Sequence, residues 1–365
     1  MMRYSDYDES SVRVRPNKKG SRPRTKDRPA HEKAVIGRII TVDRGRYTAI
    51  LDEDTAAERI VIAARARELR RQAIVPGDMV ALVGDTSGKP DTLARLVRIE
   101  ERSTLLRRSA DDTDATERVV VANVDKLVIV VAAANPEPRT GFVDRALVAA
   151  YDAGIQPVLC VTKADVADPA EFLAHYEGLE LPVVISRTTA AEASGIDARS
   201  ADGASARLDS AALEQLQGML AGCVSVVLGH SGVGKSTLVN ALTGAERATG
   251  HVNAVTGRGR HTSSNALALR LGDTPGSWLI DTPGIRSFGL GLVDPGNILA
   301  AFEDLADIAT GCPRGCTHAA GEAGCALQAW ADDESTGAQA AARLASYRRL
   351  VTTEETTHEK ELGAH

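Results

Sequence analysis

The first third of the chain alternates apolar and polar residues in short runs that predict strands. Two such runs, at 35–42 and 47–51, are separated by Asp-Arg-Gly, which favours a hairpin turn. Three more follow, at 59–64, after a turn at 75–80, and at 93–100. Five short strands in so few residues are typical of a small barrel, so we predict an OB-type β-barrel over residues 34–104.

Beyond residue 105 the pattern changes to longer apolar runs that alternate with helical periodicity. The runs at 126–133, 157–161 and 181–185 are continuous, as in strands that are buried on both faces of a parallel sheet. Helical patterns cover 142–153 and 213–220, and residues 188–210 are predicted to form a loop or a partly ordered insertion. We therefore predict an α/β domain over residues 105–292.

The two ends of the chain differ from this middle part. Residues 1–33 combine Arg and Lys with Pro and Gly, cannot bury a core, and are predicted to form a disordered basic tail. Such a tail is either a solubilising extension or an arm that seeks RNA. A helical pattern at 327–350, together with the segment 294–308, predicts a mostly helical domain over residues 293–365.

Composition and charge narrow the class of protein. The 365 residues are 43% hydrophobic and 25% charged, as in soluble globular proteins, and the net charge is −6. This charge gives no overall basic field, so DNA binding is not expected and any contact with RNA depends on local patches. Since no apolar run approaches the length of a membrane span, we expect a cytoplasmic protein without membrane contact. We also expect the protein to be a monomer.

A glycine-rich loop between an apolar run and a helical pattern carries the strongest chemical signal. Residues 229–236 match G-x-x-x-x-G-K-[ST], the phosphate loop of proteins that bind nucleoside triphosphates. Lys235 can reach the β- and γ-phosphates, and Ser236 can ligate Mg²⁺. The alternative is a chance glycine-rich turn, which would not need the flanking strand and helix. The predicted nucleotide contacts are Gly229, His230, Ser231, Gly232, Val233, Gly234, Lys235, Ser236 and Thr237.

A second motif predicts which base is bound. Thr162, Lys163, Ala164 and Asp165 follow a predicted strand, where α/β sheets place their ligand contacts. The Asp165 carboxylate can accept hydrogen bonds from N1–H and N2–H₂ of guanine, a donor pattern that adenine lacks. The methylene stem of Lys163 can cover the face of the base. Together with the phosphate loop, the motif predicts GTP rather than ATP.

Two later segments are predicted to contact the γ-phosphate and its Mg²⁺. In the polar segment 257–263, Thr262 is the candidate that completes the Mg²⁺ shell. Asp-Thr-Pro-Gly then occurs twice, and the apolar runs at 266–271 and 277–280 predict a hairpin whose turn is the first copy. The second copy therefore lies at the nucleotide edge. This assigns Asp281 to the outer coordination shell of Mg²⁺ and the Gly284 N–H to the γ-phosphate.

The residue after Gly284 affects the mechanism of hydrolysis. Ras-like GTPases place a water-orienting Gln there, whereas this chain has Ile285, which cannot orient water. A slow intrinsic rate or the action of another group is therefore expected, and His261 is the candidate group. A structural role or a contact with RNA explains His261 equally well.

The order of these motifs is circularly permuted, because the base motif precedes the phosphate loop. The two segments that are predicted to contact the γ-phosphate and its Mg²⁺, here called the switch segments, come last. With a barrel before these motifs and a Cys/His cluster after them, residues 34–350 resemble the ribosome-small-subunit-dependent GTPases of the RsgA/YjeQ family. The resemblance is carried by Leu-Leu-Arg-Arg at 105–108, Val-Ala-Asn-Val-Asp at 121–125, Gly-His-Ser-Gly-Val-Gly-Lys-Ser-Thr at 229–237, Gly-Arg-His-Thr at 259–262 and Asp-Thr-Pro-Gly at 281–284.

The resemblance implies a GTPase that is stimulated by the 30S ribosomal subunit, contacts its 16S rRNA and acts late in its maturation. A hydrophobic residue at the Ile285 position is typical of the family. Thr162 departs from the commoner Asn, and Arg187 follows Ser186 where Ala is usual, so only a backbone contact of Ser186 with the base is carried over. Residues 188–210 and the basic tail lie outside the resemblance.

A cluster of metal-ligating residues follows the switch segments. Cys312, Cys316, His318 and Cys325 supply three thiolates and one imidazole, and Cys₃His is a ligand set of structural Zn²⁺ sites. The spacings differ from the family's usual pattern by one residue at two gaps. The alternative is a set of free cysteines in a glycine-rich loop, but a reducing compartment favours a metal over disulfides. With four protein ligands, no position is left open for catalysis.

These predictions combine into a multi-domain GTPase with an OB-type barrel, a circularly permuted α/β P-loop domain and a helical zinc-binding domain. Because the segment after Asp281 leads directly into the helical domain, nucleotide state is expected to move that domain relative to the barrel. Two alternatives stay open. One is an RNA-binding checkpoint module with little turnover, and the other is a P-loop ATPase or kinase unrelated to ribosomes.

Overall fold

The computed structural model of the protein describes residue 31 and residues 33–69, 72–111, 114–189, 196–199, 205–244, 266–282, 293–333 and 337–362. The predicted basic tail therefore lies outside the described residues, apart from His31 and Lys33. Further predicted residues that lie outside them are His261, Thr262, Gly284 and Ile285.

Strands near the start of the chain close into a five-stranded barrel. They are β1 (Val35–Asp43), β2 (Arg46–Leu51), β3 (Arg59–Arg65), β4 (Met79–Gly84) and β5 (Ala94–Ile99). Their order is β1-β2-β3-β5-β4, and β4 pairs again with β1. β3 and β5 run parallel, and the other pairs are antiparallel. Residues such as Ile39, Leu51 and Leu96 form a core inside the barrel, and all the strands predicted here are confirmed.

A two-stranded hairpin follows the barrel, formed by β6 (Leu105–Asp111) and β7 (Asp114–Ala122). The hydrophobic pattern predicted no strand in this region. Its sequence is rich in charged residues between the apolar ends, so the alternation that identifies a half-buried strand is interrupted.

The strands of the central sheet and of a small separate sheet lie between residues 126 and 281. In chain order the strands are β8 (Lys126–Ala132), β9 (Gln156–Thr162), β10 (Val183–Ile185), β11 (Thr188–Thr189), β12 (Ile196–Arg199), β13 (Ser205–Leu208), β14 (Val224–Gly229), β15 (Leu267–Arg270) and β16 (Trp278–Asp281). The order β10-β9-β8-β14-β16 is parallel, and β15 joins β16 as an antiparallel hairpin. The predicted parallel sheet and hairpin are confirmed. β15 also pairs with β1 through Leu267 and Thr41, so the sheet continues into the barrel.

Residues 188–210, predicted to form a loop or a partly ordered insertion, contain three short strands where the structure describes them, so the loop alternative is wrong for those residues. β13 pairs antiparallel with both β11 and β12, which gives a separate three-stranded sheet. The strands have two, four and four residues. Strands this short do not show the apolar alternation on which prediction from sequence depends.

Helices cover both faces of the central sheet. Among the described residues they are α1 (Thr140–Asp152), α2 (Ala170–Ala174), α3 (Ser210–Leu220), α4 (Lys235–Thr243), α5 (Pro295–Ala300), α6 (Glu303–Ala309), α7 (Ala326–Ala331) and α8 (Gly337–Leu362). Strand residues alternate between two cores, so on β8 the side chain of Ile129 packs with α1 and that of Val130 packs with α3 and α4. In the described parts of the chain, each helix is too short or too polar to cross a bilayer.

The helices at the C-terminal end share one of these two cores. Phe302, Leu344 and Leu350 are buried in the same apolar cluster as Phe142 and Leu147 of α1. The predicted helices in this region are therefore present, but they do not form a core of their own.

Candidate nucleotide and metal sites

The phosphate loop lies at the carboxyl end of β14, an inner strand of the parallel sheet. β14 ends at Gly229 between its neighbours β8 and β16, and α4 begins at Lys235. Gly234, directly before the helix, has a φ of +88°, a conformation that favours glycine over residues with a Cβ atom. The first N–H groups of a helix have no partners within it, so this edge of the sheet can bind an anion. Ser236 and Thr237 belong to the first turn of α4.

An ion pair joins the phosphate loop to the end of β16. Lys235 Nζ lies 2.7 Å from Asp281 Oδ1, and the Asp281 side chain is 2% exposed. The parallel register places Asp281 beside Val227, whose carbonyl accepts a hydrogen bond from the Thr282 hydroxyl at 3.1 Å. The structure thus brings Asp281 and Thr282, the first two residues of the second Asp-Thr-Pro-Gly copy, to the phosphate loop, where a cation and a carboxylate meet in a largely buried position.

The base motif contacts the phosphate loop directly. The Thr162 hydroxyl lies 2.6 Å from the Val233 carbonyl oxygen, to which it donates, and the Lys163 ammonium donates to the Gly232 carbonyl at 2.7 Å. Lys163 also donates to the carbonyl of Asn135, in the loop after β8. These contacts hold the loops that follow three parallel strands together at one edge of the sheet.

Backbone hydrogen bonds position the remaining base-motif residues. The Ser186 N–H donates to the Val161 carbonyl at 2.8 Å, and the Ser186 carbonyl accepts from the Ala164 N–H at 3.2 Å. The loops after β9 and β10 are therefore tied together, and Asp165 is the next residue of the tied segment. The structure brings Thr162, Lys163, Ala164, Asp165 and Ser186 to the same edge as the phosphate loop.

Two contacts at this site were not predicted from the sequence. The His230 ring packs against Phe142 of α1, with ring centroids 4.3 Å apart. The Asn135 carbonyl accepts from Lys163, as described above. A backbone carbonyl leaves no signal in the sequence, and the contact of His230 depends on how α1 packs on the sheet.

The predicted metal ligands converge at the start of α7. The Nδ1 atom of His318 lies 3.6 Å from Cys312 Sγ, 3.5 Å from Cys316 Sγ and 3.8 Å from Cys325 Sγ. A tetrahedral Zn²⁺ with ordinary bond lengths would place its sulfur and nitrogen ligands about 3.5 Å apart. The Ala326 N–H donates to Cys312 Sγ at 3.2 Å, a contact that orients this sulfur towards the other three ligand atoms. The donor set and its spacing therefore fit a structural Zn²⁺ ion.

Arg348 of α8 fixes the His318 loop, a role that the sequence did not indicate. Its guanidinium donates to the carbonyl oxygens of His318 at 2.7 Å and Ala319 at 3.1 Å, and to Gln328 Oε1 at 2.7 Å. Burial, and next the positive charge of Arg348, lower the pKa of His318, which favours the neutral imidazole that a metal requires.

Comparisons of family, sequence and structure all relate this chain to GTPases. A family model described as RsgA GTPase matches residues 99–291. The small ribosomal subunit biogenesis GTPase RsgA of Pseudomonas aeruginosa is 39% identical over 282 residues, 76% of this chain and 75% of that protein. The protein of the same name in Azotobacter vinelandii is 38% identical over 288 residues, 76% and 74% of the two chains.

Two solved structures are similar over 90% of this chain, each with a TM-score of 0.58. One is YloQ, described as a circularly permuted GTPase, which is 20% identical and covered over 97% of its length. The other is YjeQ from Thermotoga maritima, which is 22% identical and covered over 99%. The fold is therefore that of a circularly permuted GTPase, and the chain belongs to the RsgA GTPase family.

Proposed function

We propose that this protein hydrolyses GTP to GDP and phosphate when the 30S ribosomal subunit stimulates it, late in the maturation of that subunit. The observation that carries the proposal is the meeting of Lys235, Asp281 and the base motif at one edge of the permuted sheet. The relatives described above are named small ribosomal subunit biogenesis GTPases, which supports the choice of partner.

The residues around the phosphate loop would bind the triphosphate. Backbone N–H groups of residues 229–237 surround the phosphates, and Lys235 exchanges its contact with Asp281 for the β- and γ-phosphates. Ser236 and Thr262 would ligate Mg²⁺, with Asp281 in its outer shell, and the ion would neutralise charge on the transferred phosphoryl group. The Gly284 N–H donates to the γ-phosphate, and His261 is the candidate that orients the attacking water.

The base motif would supply the preference for guanine. Asp165 accepts hydrogen bonds from N1–H and N2–H₂, the stem of Lys163 covers the base, and Ser186 contributes a backbone contact. Thr162 acts through its hydrogen bond to the Val233 carbonyl, which holds the phosphate loop against the base site. This contact gives the Thr a role that does not require the amide of the commoner Asn.

Outside the nucleotide site, we propose partners and ions for the barrel and the helical region. The closed order β1-β2-β3-β5-β4 supports assignment of the barrel to the OB type, a fold that binds nucleic acids. Cys312, Cys316, His318 and Cys325 would hold one structural Zn²⁺. The barrel (34–104) and helical region (293–365) would contact 16S rRNA, mainly through phosphates, from either side of the GTPase domain (105–292). We propose that the protein acts as a cytoplasmic monomer.

Hydrolysis of GTP and ATP by the purified protein, with and without isolated 30S subunits, tests the proposal. We expect strong stimulation by 30S subunits with GTP and none with ATP. The Asp165→Asn variant should prefer xanthosine triphosphate to GTP, because xanthine replaces the guanine amino group by a carbonyl that an amide can donate to. ATP turnover that ignores 30S subunits and is unchanged in Asp165→Asn would contradict the proposal and favour a P-loop ATPase or kinase.

Ile285 supports a second candidate function, a nucleotide-switched RNA-binding checkpoint with little turnover. Its aliphatic side chain stands where a Gln would orient water, so hydrolysis has no evident water-orienting group at that position. Negligible turnover with 30S subunits, together with binding that differs between GTP and GDP, would favour this candidate.

A further inference from the structure

We infer that the β15–β16 hairpin couples the barrel to the nucleotide site, and that acidic residues of the barrel hold this hairpin in position. Glu53, Asp54 and Glu58, in the loop between β2 and β3, are the acidic loop. The inference rests on the proposed function in one respect, because the reaction that the coupling controls is the 30S-stimulated hydrolysis of GTP.

The acidic loop binds the turn end of the hairpin through charged hydrogen bonds. Asp54 and Glu58 each accept from the guanidinium of Arg270, the last residue of β15. Asp54 also accepts from the backbone N–H of Gly276 at 2.7 Å, within the first Asp-Thr-Pro-Gly copy. Two carboxylates therefore contact both a side chain and the backbone of the turn, which fixes the turn in orientation as well as in distance.

The second strand of the hairpin is held in the same way. Trp278, the first residue of β16, is 3% exposed, and its indole N–H donates to Glu53. Glu53 also accepts from Arg38 Nε of β1 at 3.0 Å. The guanidinium of Arg270 lies 4.6 Å from the Trp278 ring centroid, so the two residues that contact the acidic loop also contact each other.

The other end of the hairpin lies at the nucleotide site. Leu267 pairs with Asp281 across the hairpin, and Leu267 also pairs with Thr41 of the barrel. Asp281 in turn holds Lys235 of the phosphate loop. The barrel thus contacts the hairpin at both ends. Trp278, which contacts the acidic loop, and Asp281 are the first and last of the four residues of β16, about 10 Å apart along the strand.

The connectivity of the chain gives these contacts a consequence for catalysis. The segment before β15 contains Thr262 and the segment after β16 contains Gly284, so both predicted switch segments are attached to the open end of the hairpin. A shift of the barrel on rRNA would move the hairpin and with it Asp281. Arg270 and Trp278 are therefore positioning residues for the stimulated reaction. By thermodynamic reciprocity, nucleotide binding would change the affinity of the barrel for rRNA.

The test compares a variant of the acidic loop with a matched variant elsewhere on the barrel. Asp54→Asn with Glu58→Gln removes both charges that hold Arg270. Glu68→Gln removes the acid that pairs with Arg95 at 3.0 Å, away from the hairpin. We expect the acidic-loop variant to keep its basal GTP hydrolysis and GTP affinity within about twofold and to lose about tenfold of the 30S-stimulated rate. Glu68→Gln should keep its basal GTP hydrolysis, its GTP affinity and its 30S-stimulated rate.

The change in charge distinguishes a loss of coupling from a loss of binding to the 30S subunit. Removing two negative charges makes the barrel more attractive to RNA, so weaker attraction to the 30S subunit would not explain a lower stimulated rate. Arg270→Glu alone should also lose stimulation, and Arg270→Glu combined with Glu58→Arg should recover part of it. Thermal unfolding of each variant identifies any that fails to fold.

Two results would overturn the inference in different ways. If the wild type is stimulated and the acidic-loop variant is stimulated as strongly as Glu68→Gln, the hairpin does not couple the barrel to the site, and the proposed function stands. If the wild type is not stimulated by 30S subunits at all, the proposed function fails, and the coupling fails with it.

Discussion

The barrel and the C-terminal helices both contact the central sheet, but with different chemistry. The helices bury Phe302, Tyr347 and Leu350 in the same apolar core as α1. The backbone of α8 also approaches Gly178 so closely that a Cβ atom there would lie 2.6 Å from the Ala342 carbonyl oxygen. Most buried residues of the barrel, in contrast, form a core of their own, although Ile50 of β2 is buried in the larger core. At the β15–β16 hairpin the barrel meets the sheet through one strand pair and charged hydrogen bonds.

This difference indicates which part of the molecule responds to nucleotide. Protein interiors are close-packed and resist relative movement of the groups that share them. Charged contacts at a partly exposed surface can be exchanged at a smaller cost in free energy. The sequence led us to expect that nucleotide state moves the helical region relative to the barrel, because the segment after Asp281 leads into that region. The shared core indicates that the helices stay with the GTPase domain, so this relative movement would take place between the barrel and the rest of the described chain.

The largest expected effect comes from opening the shared core. The Phe302 ring lies 5.7 Å from both Tyr151 of α1 and Tyr347 of α8, and it is 1% exposed. Phe302→Ala should lower the free energy of unfolding by about 3–5 kcal/mol, from lost burial and the cavity that remains. Denaturant unfolding measures this, with Leu93→Ala, at a 45% exposed barrel residue, as the control.

The same experiment tests whether the helices and the sheet are one cooperative unit. Phe302→Ala should shift a single transition that includes the sheet. A separate, earlier transition of the helices alone would contradict this expectation, because it would show that the helical region is as independent as the barrel.

Two acids at the interface of the helices should respond to pH in opposite directions. Burial raises the pKa of Asp144 on α1, although Arg349 of α8 partly opposes the shift. The hydrogen bond from Arg343 lowers the pKa of Asp304 on α6. Folded Asp144 therefore retains its proton to higher pH than the unfolded chain does, so its contribution to stability falls as pH rises from 3.8 through the folded pKa. Asp304 contributes stability above 3.8 that is lost as pH falls through its folded pKa.

Thermal unfolding between about pH 3 and pH 7 measures these contributions. Relative to the wild type, Asp144→Asn should become more stable as pH rises, and Asp304→Asn should become less stable. Each effect involves one proton and should be smaller than that of Phe302→Ala. Parallel pH profiles for the two variants would contradict the assignment of burial to one acid and of an ion pair to the other.

Local patterns in the sequence predicted the elements that build the site. The glycine-rich loop, the parallel strands and the β15–β16 hairpin follow from periodicity and turn residues, and the hairpin argument correctly placed Asp281 at the phosphate loop. The candidate metal ligands were predicted from three Cys and one His that lie close together in the sequence, and the structure brings them together. These features depend on residues that are near one another in the sequence or on short motifs with one physical explanation.

Contacts between distant segments could not be predicted in this way. Glu53 and Trp278 are separated by 225 residues, and Arg348 and His318 by 30, yet each pair is in direct contact. Neither pair belongs to a motif. From sequence alone, an acid in a loop or an arginine on a helix is expected to be a solvated surface residue without a particular partner. Their partners are set by how the elements pack, which hydrophobic periodicity does not specify.

The smallest expected effect on stability comes from the contact between Arg270 and the acidic loop of the barrel. The side chains of Arg270, Asp54 and Glu58 remain 31%, 26% and 34% exposed, so water and salt screen their attraction. Arg270→Ala should therefore cost at most about 1 kcal/mol of unfolding free energy, and about 0.5 M salt should reduce that cost further. Measured beside Phe302→Ala, an equal loss would mean that the barrel is attached as firmly as the helices. In that case a shift of the barrel on rRNA would have to deform the sheet itself, and the hairpin would have no separate freedom through which to act on Asp281.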